Sequence, residues 1–209
     1  MDETEVMVRA VTTVGPGTIA LELETPADFD ANPGQFVRLH ATVDGEEIAR
    51  YYTLSSPDIE ETFEITVGID PEGDLSPWLA DRESGDTVTI EGPFGNVVYD
   101  EGDVAVLAGG PGVGPAVGVA EAAVAEGSEA TIVYQDDAPA HEQRLDALVD
   151  SGATVRIVEN KQGLTDAVRE VVDDGQIYVF GFQAFVEDAC DAVEAGGGDF
   201  SEAEVESFG

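Results

Sequence analysis

The chain has 209 residues, with 45 Asp and Glu against 8 Lys and Arg, for a formal net charge of −37. Hydrophobic residues make up 43% of it and the acids are spread between apolar segments along the whole length, which excludes a disordered acidic tail. The absence of any basic patch excludes nucleic acid as a partner, and the one cysteine, Cys190, excludes an internal disulfide or a multi-cysteine cluster.

Such a charge repels itself in dilute buffer and is screened at molar salt, where the Debye length falls to about 3 Å. The expected state is a folded protein with a solvated acidic surface suited to concentrated cytoplasmic salt, as in halophiles. The first residues lack the basic and apolar regions of a signal peptide. Residues 104–120 are uncharged, but their prolines and glycines argue against a membrane helix. A soluble, cytoplasmic protein with no membrane insertion is expected.

The first half reads as short strands. Val6 to Val14 and Thr18 to Glu24 flank Gly15-Pro16-Gly17, a hairpin pattern. Gln35 to Val43, Ile48 to Leu54, Thr62 to Val67 and Thr87 to Ile90 follow, each bounded by Gly, Pro, Asp or Ser, with one short helix over Ser76 to Arg82. Six strands at this spacing predict a small antiparallel barrel or sandwich.

The second half has another grammar. Val104 to Leu107 runs into Gly109-Gly110-Pro111-Gly112-Val113-Gly114-Pro115 and then into small residues, Ala116 to Val124. That is a buried strand, a glycine turn and a helix, an arrangement in which backbone N–H groups can approach a phosphate. Strands at Ala130 to Tyr134, Thr154 to Val158 and Ile177 to Phe180 then alternate with helices over His141 to Val149, Leu164 to Val172 and Phe185 to Val193. A short strand near Glu204 to Phe208 ends the chain. The alternation predicts a parallel sheet with covering helices. The joint falls at Tyr99 to Asp103, giving domains at 1–100 and 101–209.

Arg50-Tyr51-Tyr52-Thr53-Leu54-Ser55-Ser56 is the second informative stretch. On a strand Arg50 and Tyr52 share a face. A guanidinium grips phosphate oxygens, a phenol lies against a planar heterocycle, and Thr53 offers a hydroxyl and an amide at the strand end. Taken alone, the stretch reads rather as an ordinary strand with one exposed arginine.

It is not alone. Pro33-Gly34-Gln35-Phe36, Arg50-x-Tyr52-Thr53, Gly73-Asp74-Leu75-Ser76, Gly92-Pro93-Phe94-Gly95 and the turn at 109–115 occur in one order. That order resembles the ferredoxin–NADP reductase-like flavoproteins, over essentially the whole chain. The resemblance implies a six-stranded Greek-key barrel that binds FAD and an α/β domain that binds NAD(P)H; the choice of FAD over FMN rests on it alone. It further implies that Arg50 pairs with the flavin pyrophosphate, with Tyr51 beside it, and that Tyr52 packs on the isoalloxazine. Thr53 then hydrogen-bonds at the reactive N5 edge, and Gly73, Asp74, Leu75 and Ser76 complete the pyrophosphate site. Gly110, Gly112, Val113, Gly114 and Pro115 match the turn that relatives place against the nicotinamide dinucleotide.

The implied activity is FAD-dependent hydride transfer between NAD(P)H and flavin N5, with ferredoxin or another one-electron carrier as the second substrate. Family members carry Cys-Gly-Pro-x-x-Met where this chain has Phe180-Gly181-Phe182, so of that motif only Gly181 remains. This departure motivates the alternative of a flavin-bearing electron-transfer subunit or binding module that does not react with nicotinamide. A free flavin or ferric reductase is a third reading. After the second strand of the α/β half, Gln135-Asp136-Asp137 replaces the arginine or serine that NADPH users tend to carry, so NADH fits better, with Asp136 towards the ribose. Phe208 reads either as an aromatic shield of the flavin or as core packing. His40, His141 and Trp78 read as structural, and Cys190 as a buried thiol.

Overall fold

The structure, a computed structural model, describes residues 3–208. The hairpin of β1 (Thr4–Gly15) and β2 (Thr18–Glu24) forms as the pattern predicts, with Gly17 at φ 63° in the turn. A second hairpin joins β3 (Phe36–Val43) to β4 (Glu46–Thr53) through Asp44 and Gly45, both at positive φ, the turn that matches strand twist. With β5 (Thr62–Gly68) and β6 (Thr87–Phe94) these strands make one antiparallel sheet in the order β4-β3-β6-β1-β2-β5. A bridge between Leu54 and Ile65 links its two outer strands and closes the barrel.

Alternation fills the interior. Val8, Leu21, Leu39, Phe63, Ile65 and Ile90 are fully buried there, and helix α1 (Leu75–Ala80) adds Leu75 and Leu79. Trp78 packs on the same core with the Arg82 guanidinium 4.0 Å from its ring centre, the packing role expected of it. The sequence pattern stops β6 at Ile90, but pairing continues to Phe94, opposite Phe36. A register slip between Phe36 and Arg38 accommodates Pro93, which has no N–H to give to the ladder.

After residue 103 the chain becomes parallel: β7 (Val104–Gly109), α2 (Val113–Glu126), β8 (Ala130–Gln135), α3 (Glu142–Asp150), β9 (Thr154–Val158), α4 (Lys161–Val171), β10 (Gln176–Gly181), α5 (Gln183–Gly196) and β11 (Glu204–Ser207). The sheet order is β11-β10-β7-β8-β9, with α2 and α3 over one face and α4 and α5 over the other. Because both faces of β7 are covered, its six residues are all buried, and the strand reads as an unbroken apolar run. Helix α2 is buried from Val113 to Ala120 on all sides. It lies between the sheet and the barrel, which explains why no polar stripe is visible in its sequence.

Close approach at this seam needs glycine. A Cβ on Gly114 would collide with the Ser55 and Thr66 hydroxyls, and one on Gly118 would sit 2.8 Å from the Ser55 carbonyl oxygen. Among the described residues no helix is long and apolar enough to cross a membrane. Cys190 departs from its expected burial: it is half-buried on α5, because one side of that helix faces solvent, and burial and Glu194 together hold its thiol pKa up.

Candidate functional site

The parallel sheet has one point where its strand order reverses. The chain leaves β7 towards β8 and β9, then returns to place β10 on the other side of β7. At the carboxyl ends of β7 and β10 this opens a crevice, the position where open α/β sheets bind ligands. The 3₁₀ turn Gly110–Gly112 lies at one lip and Phe182 follows the other. The mouth of the barrel faces the crevice, and together they enclose a cleft of about 650 Å³.

From the barrel side the cleft is lined by Arg50, Tyr51, Tyr52, Thr53 and the stretch Gly73 to Ser76, all of them singled out from sequence. Arg50 and Tyr52 share a face of β4, as alternation requires. Arg50 is exposed, and its Nη1 donates to its neighbour's carbonyl, Ala49 O, at 2.8 Å. Among the described residues every other Lys and Arg has a carboxylate partner; Arg50 has none. In a chain with 45 acidic side chains, one guanidinium without a carboxylate at a cleft stands apart. Tyr52 is half-buried against the barrel core, and burial pushes its phenol up to about 12, with Arg50 opposing. It therefore stays a neutral donor. Tyr51 is 64% exposed and meets the Phe36 ring edge-on at 5.5 Å. Thr53 is buried at the strand end, 7% exposed. Ser76 Oγ accepts from Asp70 N at 3.0 Å, which leaves its own proton free to be donated into the cleft.

From the α/β side come Pro111, Pro115, Phe182, Glu206, Ser207 and Phe208. Phe208 satisfies both readings of it. It borders the cleft, meets Phe182 edge-on at 5.9 Å and also packs on the core beneath, with its N–H held by Gly181 O at 2.9 Å. Burial holds the Glu206 carboxyl above the ordinary range.

The glycine turn differs from its sequence reading. Gly110 sits at φ 55° with open space where a Cβ would project, so here conformation requires glycine. At Gly112 a Cβ would strike the carbonyl of Phe180, and Gly114 faces the barrel hydroxyls. Those two positions are glycine because protein packs against them; together with the buried Val113 they lie outside the residues that line the cleft. What the turn offers a ligand is the start of α2, whose first turn carries no acidic residue. Gly181 is likewise held close by the Phe185 ring. Phe180, at the position of the family cysteine, points into the core and stacks near Tyr178, whereas Phe182 is 55% exposed at the cleft. Asp136 has both carboxylate oxygens engaged, by the Tyr134 hydroxyl at 3.0 Å and Ala138 N at 2.8 Å.

Several groups at or behind the cleft are absent from the sequence reading. Thr66 lines it and is 6% exposed; Ser55 Oγ lies 2.7 Å and His141 Nε2 lies 2.8 Å from its hydroxyl. No local signal marks Thr66 or Glu206, because both acquire their surroundings from the other domain or from the chain end.

Residues 5–99 match the family described as the oxidoreductase FAD-binding domain. The glycine betaine monooxygenase reductase subunit of Chromohalobacter salexigens is 40% identical over 103 residues, which are 47% of this chain and 28% of that protein. NADH-cytochrome b5 reductase 1 of Neosartorya fischeri is 35% identical over 109 residues, 49% of this chain and 35% of that one. The matched region thus spans about a third or less of these relatives. Among solved structures, the ferredoxin reductase of carbazole 1,9a-dioxygenase superimposes with a TM-score of 0.84 at 20% identity, over 100% of this chain and 70% of that one. The FAD/NAD-binding domain of Vibrio cholerae nitric oxide dioxygenase gives 0.81 at 20% identity, covering 100% of both. The barrel is therefore similar to the oxidoreductase FAD-binding domain, and the chain as a whole shares the two-domain fold of these reductase structures.

Proposed function

We propose that the chain is an FAD-dependent NAD(P)H oxidoreductase that passes electrons to a one-electron carrier such as a ferredoxin. The observation that carries this reading is the unpaired Arg50 at a cleft built jointly by an FAD-binding barrel and the switch point of a parallel sheet. The residues fit the group: a neutral phenol, apolar rings and a buried threonine for a planar heterocycle, and one guanidinium with a serine hydroxyl for phosphates. FAD supplies the chemistry, accepting two electrons from a reduced nicotinamide and releasing them singly.

The chain supplies position and electrostatics. Arg50 and the Ser76 hydroxyl hold the pyrophosphate, Tyr51 flanks them, and Tyr52 and Thr53 orient the ring. Gly73, Asp74 and Leu75 shape the loop from which α1 starts. Phe182 and Phe208 exclude water from the side where the nicotinamide enters, and Gly181 fixes the end of β10 behind them. Gly110, Gly112, Val113, Gly114 and Pro115 bring the amino end of α2 to the dinucleotide phosphates. Residues 83–143 contain no Lys or Arg, so backbone N–H groups do this work alone and nothing there favours a 2′-phosphate. NADH is the preferred donor on that account, with Asp136 holding the loop after β8 through Tyr134 and Ala138. Reductases among the relatives support an acceptor that is a separate carrier or oxygenase component.

A second reading has its own observation, the exposed Phe182 ring in the nicotinamide region. If that ring closes the site, the chain is a flavin-bearing electron-transfer subunit. An anaerobic visible spectrum in concentrated KCl separates the two. The reductase bleaches its flavin band with NADH faster than with NADPH. A flavin band that neither nucleotide touches, in the wild type and in a Phe182→Ser variant alike, overturns the reductase reading.

A further inference from the structure

His40 lies on β3, on the outward side of the barrel wall, where alternation with Val37, Leu39 and Ala41 places it. It is nevertheless only 6% exposed, and neither ring nitrogen has a hydrogen-bond partner. Buried polar atoms are nearly always satisfied, and two orphans on one ring need an explanation. Carboxylates surround them without forming well-aligned hydrogen bonds, and those facing Nδ1 stand too far off to do so. Nδ1 is 3.8 Å from Glu3 Oε1 and 3.7 Å from Glu47 Oε1, and Nε2 is 3.4 Å from Glu91 Oε2.

These separations suit donors that share an ion. Two ligand atoms each about 2.0–2.1 Å from a divalent cation, at tetrahedral or wider angles, sit roughly 3.4–3.7 Å apart. The donor atoms of Glu3, His40 and Glu47 all lie within 4.8 Å of one another. Glu91 is held by Arg38 at 3.1 Å and faces the other ring nitrogen. That is the carboxylate–histidine–metal arrangement, in which the outer carboxylate keeps the proton on Nε2 and leaves the Nδ1 lone pair for the ion.

We propose that Glu3, His40 and Glu47 form a site for a borderline divalent cation of the Zn²⁺ type, with water completing the shell. One imidazole and two carboxylates fit such an ion, and the monovalent cations of concentrated salt do not compete for imidazole. The ligands come from just before β1, from β3 and from β4, so the ion staples three strands across β6. Glu47 stands three residues before Arg50 on the same strand, and the staple fixes the strand that presents the cleft residues.

The test uses the flavin-loaded protein, freed of metal by a chelator and exchanged into 2 M KCl, with Zn²⁺ as the probe in equilibrium dialysis and thermal unfolding. Wild type should take up one tight ion per chain and gain roughly 5 °C in Tm at about a hundredfold excess over Kd. His40→Gln and Glu47→Gln should each bind at least about tenfold more weakly and lose the shift. The Glu47 side chain is 75% exposed, so this second variant poses no risk to folding. Equal uptake by wild type and both variants assigns the ions to the general acidic surface and overturns the site, as does a wild type that binds no tight ion. Loss in His40→Gln alone overturns this ligand set.

Discussion

On the closed side of the seam between barrel and sheet, polar groups answer one another across the domains, whereas on the open side they face a cleft. Arg144 of α3 bonds Glu121 of α2, Glu64 of β5 at 2.8 Å and the Ser55 carbonyl at 2.7 Å, while Ser55, Thr66 and His141 form a chain of contacts beside it. A few residues away, Arg50 meets no carboxylate among the described residues. The same kind of side chain therefore serves two ends. The paired guanidinium, about a quarter exposed, ties the domains together, and the unpaired one faces the cleft.

The largest effect is expected from backbone crowding in the turn beside the seam. Gly112→Ala places a methyl against the Phe180 carbonyl, which belongs to the central sheet and has no room to move. A loss of about 3 kcal/mol is expected, seen as a Tm lower by roughly 6–12 °C in 2 M KCl. An unchanged Tm would show that the turn is looser than its packing implies.

Arg50→Gln probes the open side. Because Arg50 has no carboxylate partner to orphan among the described residues, the stability of the flavin-free protein should stay within about 0.5 kcal/mol of wild type. Flavin affinity, read by fluorescence titration, should fall by about 2 kcal/mol, or roughly thirtyfold. A fall in stability with unchanged affinity would place Arg50 with the closed side instead.

The smallest effect is the pH response of the seam. Burial, helped by Arg144, holds His141 down to about 4 from 6.5, so the unfolded chain takes up its proton first. The contribution is complete above pH 6.5 and is lost as pH falls towards about 4, at no more than about 1.4 kcal/mol per pH unit. Glu64, whose carboxyl is pushed up by burial, works in the opposite sense and flattens the lower part of that window. Unfolding midpoints between pH 7.5 and 5 should drop for wild type and drop less for His141→Gln. Parallel curves would remove His141 from the seam's acid sensitivity.

Much of the molecule was legible residue by residue. Period-two alternation marked the barrel strands, and the unbroken Val104–Leu107 run marked a strand buried on both faces. Arg50 and Tyr52 reached the cleft as their spacing required. Other signals carry a second cause that the sequence does not show. Gly112 and Gly114 looked like room for a phosphate, but their neighbours are Phe180, Ser55 and Thr66, up to 68 positions away for the first pair and 59 for the second. Asp136 was expected towards the ribose, and both its carboxylate oxygens are held by local bonds. Phe180 stands where relatives carry the motif cysteine, but it lies in the core beside Tyr178, and Phe182, just past the end of β10, borders the cleft.

The amino-acid sequence by itself determined the element order, the two sheet types, the acidic surface and the candidate flavin contacts. Each of these follows from local periodicity, turn chemistry or composition, which neighbouring residues encode. Only the tertiary structure decided which glycines serve packing, which arginine is left without a carboxylate, and that His40 and His141 are buried between distant acids and hydroxyls. Those outcomes depend on partners brought together from different strands and domains, and burial and pairing are properties of the assembled pair, not of either residue alone.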